Sequence, residues 1–249
     1  MKFLSGMIVG LLLAFFVGYV YLQSYNSTFR LSGVVVKEDR TVIGFNKIQL
    51  SDGGILNIIQ GDTESLTVTA DEKMMQHVST EVVNKELILK VDHPMVLGLF
   101  SLPQSEVVYD LSLKNIEAVT INGSGELNSN QLATDELRLE IKGSGDVRAG
   151  VKAEKITTFI NGSGTLLLTG NARQQDINIY GSGMYFGKDL VGSETSVDIT
   201  GSGRAEISVS DKLNAQINGS GHIFYLGNPE IVGLVLGSKN IEQMADIDK

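Results

Sequence analysis

Between Val119 and Tyr225 apolar and polar residues alternate, and the alternation is punctuated six times by the tripeptide Gly-Ser-Gly. Two positions before each tripeptide stands an isoleucine: Ile121, Ile141, Ile160, Ile179, Ile199 and Ile217. The residue in between varies freely, through Asn122, Lys142, Asn161, Tyr180, Thr200 and Asn218. Apolar character recurs two positions further back, at Val119, Leu139, Ile177, Val197 and Ala215, and beyond the tripeptide at Leu127, Val147, Leu166, Tyr185, Ala205 and Ile223. A period of two marks strands buried on one face. Side chains branched at Cβ suit that surface because their χ1 is already restricted.

The tripeptides are Gly123-Ser124-Gly125, Gly143-Ser144-Gly145, Gly162-Ser163-Gly164, Gly181-Ser182-Gly183, Gly201-Ser202-Gly203 and Gly219-Ser220-Gly221. Their first glycines are 20, 19, 19, 20 and 18 residues apart, a regularity that means one unit is stacked repeatedly. Counting Ile141, Gly143, Gly145, Val147 and Ala149 as inward keeps the alternation in step through the turn. This parity predicts both glycines pointing into the core and the serine pointing out. Glycine suits such a bend for two reasons: it adopts positive φ, and it leaves room where a Cβ would collide with the neighbouring coil. The pattern leaves open which of the two operates.

A unit of this length, holding two or three short strands and their bends, is about one coil of a β-solenoid. Equivalent residues in stacked coils lie about 4.8 Å apart, so the six isoleucines form an internal column about 24 Å long. Each coil buries its apolar edge only against its neighbours, so terminal coils must differ from central ones. The competing arrangement is an antiparallel meander in which Asn-Gly at 122, 161 and 218 makes type I′ turns. Lys142, Tyr180 and Thr200 in the same slot weigh against it, since both central residues of that turn need positive φ.

The repeated Ile-x-Gly-Ser-Gly, with Gly44-Phe45-Asn46-Lys47-Ile48 and Gly61 to Val68 upstream, resembles the bacterial family called putative auto-transporter adhesin, head GIN domain. The resemblance covers roughly residues 43 to 240. It implies a right-handed parallel β-helix on an extracytoplasmic bacterial protein, and it brings no catalytic residues with it.

The flanking segments complete the layout. Phe3 to Leu22 carries no charge and is about as long as a helix needs to be to cross a hydrocarbon core. We read residues 1–22 as an uncleaved signal-anchor with a cytoplasmic N-terminus. The alternative, a cleaved signal peptide, wants a shorter apolar run and small residues where Tyr19, Tyr21 and Tyr25 stand. Residues 23–30 form a short linker. Residues 31–118 alternate without Gly-Ser-Gly and are expected to be the irregular first part and cap of the solenoid, with a helical turn or two within 71–78. Residues 119–241 carry the regular repeats and a worn last copy at Leu236-Gly237-Ser238-Lys239, and 242–249 are a polar tail. Pro94 to Pro103, apolar and without clean period, is either a plug over the solenoid or an exposed loop touching a membrane or partner.

Composition narrows the chemistry. A net charge of −9 argues against nucleic acid as a partner and against charge-driven docking on anionic lipid. With no cysteine and only three histidines, neither a disulfide framework nor a transition-metal site is expected. The serine of Gly-Ser-Gly is not a nucleophile elbow, which needs a strand, a sharp turn and a helix. His222 follows the sixth tripeptide, but the repeat places no orienting carboxylate beside it. Calcium-binding solenoids carry an aspartate in every turn. Here the residue after each tripeptide is Glu126, Asp146, Thr165, Met184, Arg204 and His222.

No catalytic residue, metal site or cofactor is therefore predicted. The expectation is a non-catalytic, membrane-anchored, extracytoplasmic binding or adhesion module, whose varied outer residues contact a protein or glycan. A structural subunit of a cell-envelope complex is the first alternative, and a carbohydrate-active β-helix enzyme the second.

Overall fold

The structure is a computed structural model that describes residues 31–92, 95–96, 99–100, 106–232 and 240–245. The expected signal-anchor at 3–22, the linker 23–30 and the worn copy at 236–239 lie outside those residues. Among the described residues no helix is long and apolar enough to cross a membrane.

The elements before the regular repeats are β1 (Val35–Arg40), β2 (Lys47–Ser51), β3 (Ile55–Gln60), β4 (Ser65–Asp71), the helical turn α1 (Glu72–Met75), β5 (Val78–Val83), β6 (Glu86–Val91), the short pair β7 (Met95–Val96) and β8 (Leu99–Phe100), β9 (Val108–Leu113) and β10 (Ala118–Gly123). Five coil-length strands follow: β11 (Glu126–Gly143), β12 (Asp146–Gly162), β13 (Thr165–Gly181), β14 (Met184–Gly201) and β15 (Arg204–Gly219). The chain closes with β16 (His222–Leu226), β17 (Glu230–Val232) and β18 (Ile241–Gln243).

Consecutive coils from β10 to β18 pair in parallel, which excludes the hairpin meander there. The result is an all-β solenoid of about six turns. Each coil has three strand segments. In β12 these are 146–149, 151–154 and 156–161, separated by a bend at Gly150 and by a break in the burial alternation at 154–155. We call them the first, second and third walls. The sheet runs to Gln243, so Glu242 and Gln243, read above as tail, belong to a strand on the first wall.

Register turns the sequence pattern into columns. Ile121 pairs with Ile141, Ile141 with Ile160, then Ile179, Ile199 and Ile217, and none is more than 1% exposed. Leu50 and Leu89 extend the column at the N-terminal end. The first coil is therefore β2–β3, and its turn is Asp52-Gly53-Gly54 in place of Gly-Ser-Gly, with all three residues at positive φ.

The two glycines of each turn have different jobs, which corrects the parity prediction. Only the second is buried: a Cβ on Gly145 would lie 2.7 Å from Ile121 Cγ2, and one on Gly164 2.6 Å from Ile141 Cγ2. The first is partly exposed and sits at positive φ, 132° at Gly143, so the backbone turns out of the core there. Its missing Cβ would meet the backbone of the coil before, at the carbonyl of Gly123. Both reasons for glycine operate, and the collision applies at either end of the tripeptide. The turns stay in the hydrogen-bonded ladder: Ser144 N–H donates to Gly123 O at 2.9 Å and Asp146 N–H to Gly125 O at 3.0 Å, and the pattern repeats at every coil.

The N-terminal end is closed by a change of strand sense. β9 pairs in parallel with β3 but antiparallel with β4, and β4 is antiparallel to β1. On the third wall β6 is parallel to β2 and antiparallel to β5. Chain order is thus permuted, because the coil made of β2 and β3 lies inside one that the chain makes later. Asp71 caps α1 between the two layers, accepting from Lys73 N at 2.9 Å, Gly33 N at 2.8 Å and Ser32 Oγ at 3.0 Å. β7 and β8 form a separate antiparallel pair off the main sheet, within the 94–103 stretch. Whether that stretch plugs the solenoid lies outside the described residues.

Candidate functional site

Among the described residues the core is apolar apart from a few polar side chains. Gln175 and Thr195 stack on each other inside it and are 1% and 3% exposed. Tyr185 Oη donates to Gln175 Oε1 at 3.1 Å, and Gln175 Nε2 donates to Leu190 O at 3.0 Å. Gly187 and Gly192 make room, since a Cβ on either would strike Tyr185 or Gln175. Burial holds the Tyr185 phenol protonated far above its ordinary range, and Tyr109 likewise. Thr158 is also fully buried, and its Oγ1 and that of Thr195 find no hydrogen-bond partner. Gln175 and Thr195 stand with Leu137, Ile156 and Leu213 in an inward column that the sequence reading did not name, and Thr158 stands between Leu139 and Ile177 in one that it did.

The twelve turn glycines line the edge between third and first walls, with the serines of all six tripeptides exposed along it. Ser202 Oγ lies 3.1 Å from Ser220 Oγ. His222 is exposed and stacks on Phe224 with ring centroids 6.2 Å apart, so it contacts an aromatic ring and not a serine. Among the described residues no group of three His, Asp or Glu side chains is placed to hold a metal.

The first wall carries an apolar patch. Leu167 pairs with Phe186 beside the exposed Met184, while the Arg204 guanidinium lies 4.2 Å from the Phe224 ring centre and 2.6 Å from Glu206. On the third wall Arg138 covers Phe159 at 4.0 Å. Tyr180 is 44% exposed in the variable slot before its tripeptide.

A groove lies where the second wall meets the third. Glu136, Lys155, Gln174, Glu194, Lys212 and Glu230 stand in register, one per coil. Two residues on, a second outward column runs from Arg138 through Asp176 and Asn214 to Val232. The inward residues between them, Gln175 and Thr195 among others, give the groove its floor. Depressions of about 330 Å³ and 470 Å³ lie along it, and Lys155 belongs to both. Lys155 Nζ is 2.8 Å from Asp176 Oδ2, and Gln174 Nε2 donates to Glu194 Oε2 at 3.2 Å. Glu194 also pairs with Arg173, which reaches Glu154 on the coil before. Nothing in the repeat announces this groove; its signal is the run of polar residues some 12 positions after each tripeptide, legible only once the coils are aligned.

Several solved structures share the fold. A putative adhesin from Bacteroides fragilis superposes with a TM-score of 0.75 at 22% identity, covering 86% of this chain and 98% of that one. A putative adhesin from Parabacteroides merdae gives 0.66 at 24% identity, with the same coverage of each chain. A protein from Parabacteroides distasonis described as a putative lipid binding protein gives 0.72 at 20% identity, again covering 86% and 98%. No curated protein sequence matches the chain. The family model described as putative auto-transporter adhesin, head GIN domain, matches residues 44–229, from the loop before β2 to the end of the regular coils, and the chain belongs to that family.

Proposed function

We propose that the chain is an adhesion module, a right-handed β-solenoid held on the outer side of a bacterial membrane by residues 3–22. The head faces the periplasm or the cell surface and contacts its partner through its walls, without catalysis. The observation that carries this reading is the contrast between the two sides of each strand. The inner column repeats isoleucine from coil to coil, while the variable slot outside it runs through Lys142, Tyr180 and Thr200. A scaffold conserved inside and diversified outside suits recognition over an extended surface. The family description and the adhesins among the structural neighbours support the same reading.

The test has two parts. Alkaline phosphatase fused after Lys249 is active only outside the cytoplasm, and deleting residues 3–22 is expected to release the head from the membrane fraction. Cells that express the chain are expected to adhere to glycan- or protein-coated surfaces better than cells that lack it. An inactive fusion overturns the topology, and equal adherence overturns the adhesion reading.

A further inference from the structure

From the groove between the second and third walls, we infer that the chain binds a neutral linear glycan along the solenoid axis. The inference rests on the adhesion reading and adds to it the surface and the ligand class.

Charge decides the sign of the ligand. Around the depression of about 330 Å³ two lysines, Lys155 and Lys212, balance two carboxylates, Asp176 and Glu194. The chain as a whole carries −9, so a polyanion would be repelled on approach. A neutral ligand avoids that cost, and here it meets both donors and acceptors. Lys212 donates, as do the second amide N–H groups of Gln174 and Asn214, whose first are taken by Glu194 and Ser196. Asp176 keeps Oδ1 for a ligand hydroxyl, because Lys155 holds only Oδ2.

Spacing decides the shape. Register sets one polar or charged side chain of the first column at every coil, about 4.8 Å apart though varied in kind, and five steps from Glu136 to Glu230 extend about 24 Å. A hexose unit in an extended chain is about as long as one step, so successive sugars meet equivalent positions. Val232, 38% exposed at the C-terminal end, offers an apolar contact for the C–H face of a ring. A depression of about 330 Å³ is within the size range of small-ligand clefts.

A peptide fits less well. Strand addition needs an unpaired sheet edge and helix docking an apolar groove. From β12 to β14 every strand under the groove is paired on both sides, and the groove is polar.

The experiment is isothermal titration of the full chain with cellohexaose, chitohexaose and maltohexaose, in a detergent that has no sugar headgroup. Binding of at least one is expected. The variant Asp176→Asn/Lys212→Ala is expected to weaken it by about tenfold or more, since each substitution removes a hydrogen bond to a charged group. Lys152→Ala, exposed on the second wall away from the groove, is expected to leave it unchanged. Circular dichroism of each variant confirms that the strands are intact. Binding by the wild type that the groove variant does not weaken overturns the site and leaves adhesion standing. No binding to any of the three, with cells still adhering to protein-coated surfaces, overturns the glycan and points to a protein partner.

Discussion

The Cγ2 methyl of Ile141 occupies the space into which a side chain at Gly164 would project, 2.6 Å from where its Cβ would stand. The same relation joins Ile179 to Gly203 and Ile199 to Gly221, also at 2.6 Å. Isoleucine and glycine in Ile-x-Gly-Ser-Gly thus form a knob and its socket, with the knob of one coil seated in the turn of the next. That is why the isoleucine and the second glycine recur together while the position after the isoleucine drifts.

Adding one methyl to the socket should cost more than removing the exposed hydroxyl beside it. Gly164→Ala overpacks the core and is expected to destabilise the head by about 1 to 3 kcal/mol. Ser163→Ala, which touches no core atom, should stay within about 0.5 kcal/mol of wild type. Urea denaturation of the two variants side by side checks the difference.

On the knob side, Ile160→Asp places an unpaired carboxylate at a position with no solvent exposure. We expect no folded head, read as loss of the β signal in far-ultraviolet circular dichroism. Ile160→Ala should fold but lose about 2 to 5 kcal/mol. Asn161→Asp, one residue along and outside the core, should melt with the wild type.

Burial raises the phenol pKa of Tyr185 and Tyr109 far above the ordinary value of about 10. Above about pH 10 the unfolded chain releases these protons and the folded chain keeps them, so stability falls as pH rises. Spectrophotometric titration should show Tyr109 and Tyr185 ionising only as the head unfolds. Tyr185→Phe leaves Gln175 Oε1 without its donor and should cost about 1 to 3 kcal/mol at neutral pH.

Desolvation alone would raise the pKa of Asp71, but hydrogen bonds from Ser32, Lys73 and Gly33 outweigh it and hold the carboxyl below its usual range. The stability this gives is present above the ordinary carboxylate pKa of about 3.9 and is lost as pH falls through the lower folded value. Asp71→Asn should therefore be less stable than wild type at neutral pH and nearly equal to it in strong acid. Denaturant midpoints on either side of that range test it.

How much of this was legible beforehand follows from what a repeat can encode. Ile121 to Ile217 and the tripeptides mark coil length and the inner face because six copies average out local noise. Asp52-Gly53-Gly54 reads as a break between strands but not as the equivalent of Gly-Ser-Gly, because a single copy with altered residues leaves nothing to align, although Leu50 before it fills the isoleucine position. The permuted order of β6 and β9 is invisible because the chain leaves the stack after β3 and returns beyond it, and alternation carries no information on which rung a strand joins. Gln175 was hidden by compensation, since Gly192 on the following coil makes the space it fills, as Gly187 does for Tyr185. The groove depends on side chains some 19 residues apart, which a linear reading never places together.

The central claim is that successive coils stack in register along one axis, and double electron–electron resonance measures that directly. The chain has no cysteine, so nitroxides attach only where cysteines are introduced in the exposed serine row. Ser124→Cys paired with Ser202→Cys spans four coil steps, and paired with Ser220→Cys five, so the account predicts narrow separations near 19 Å and 24 Å, each step adding about 4.8 Å. Broad distributions, or a separation that fails to grow with the number of coils between the labels, would contradict it.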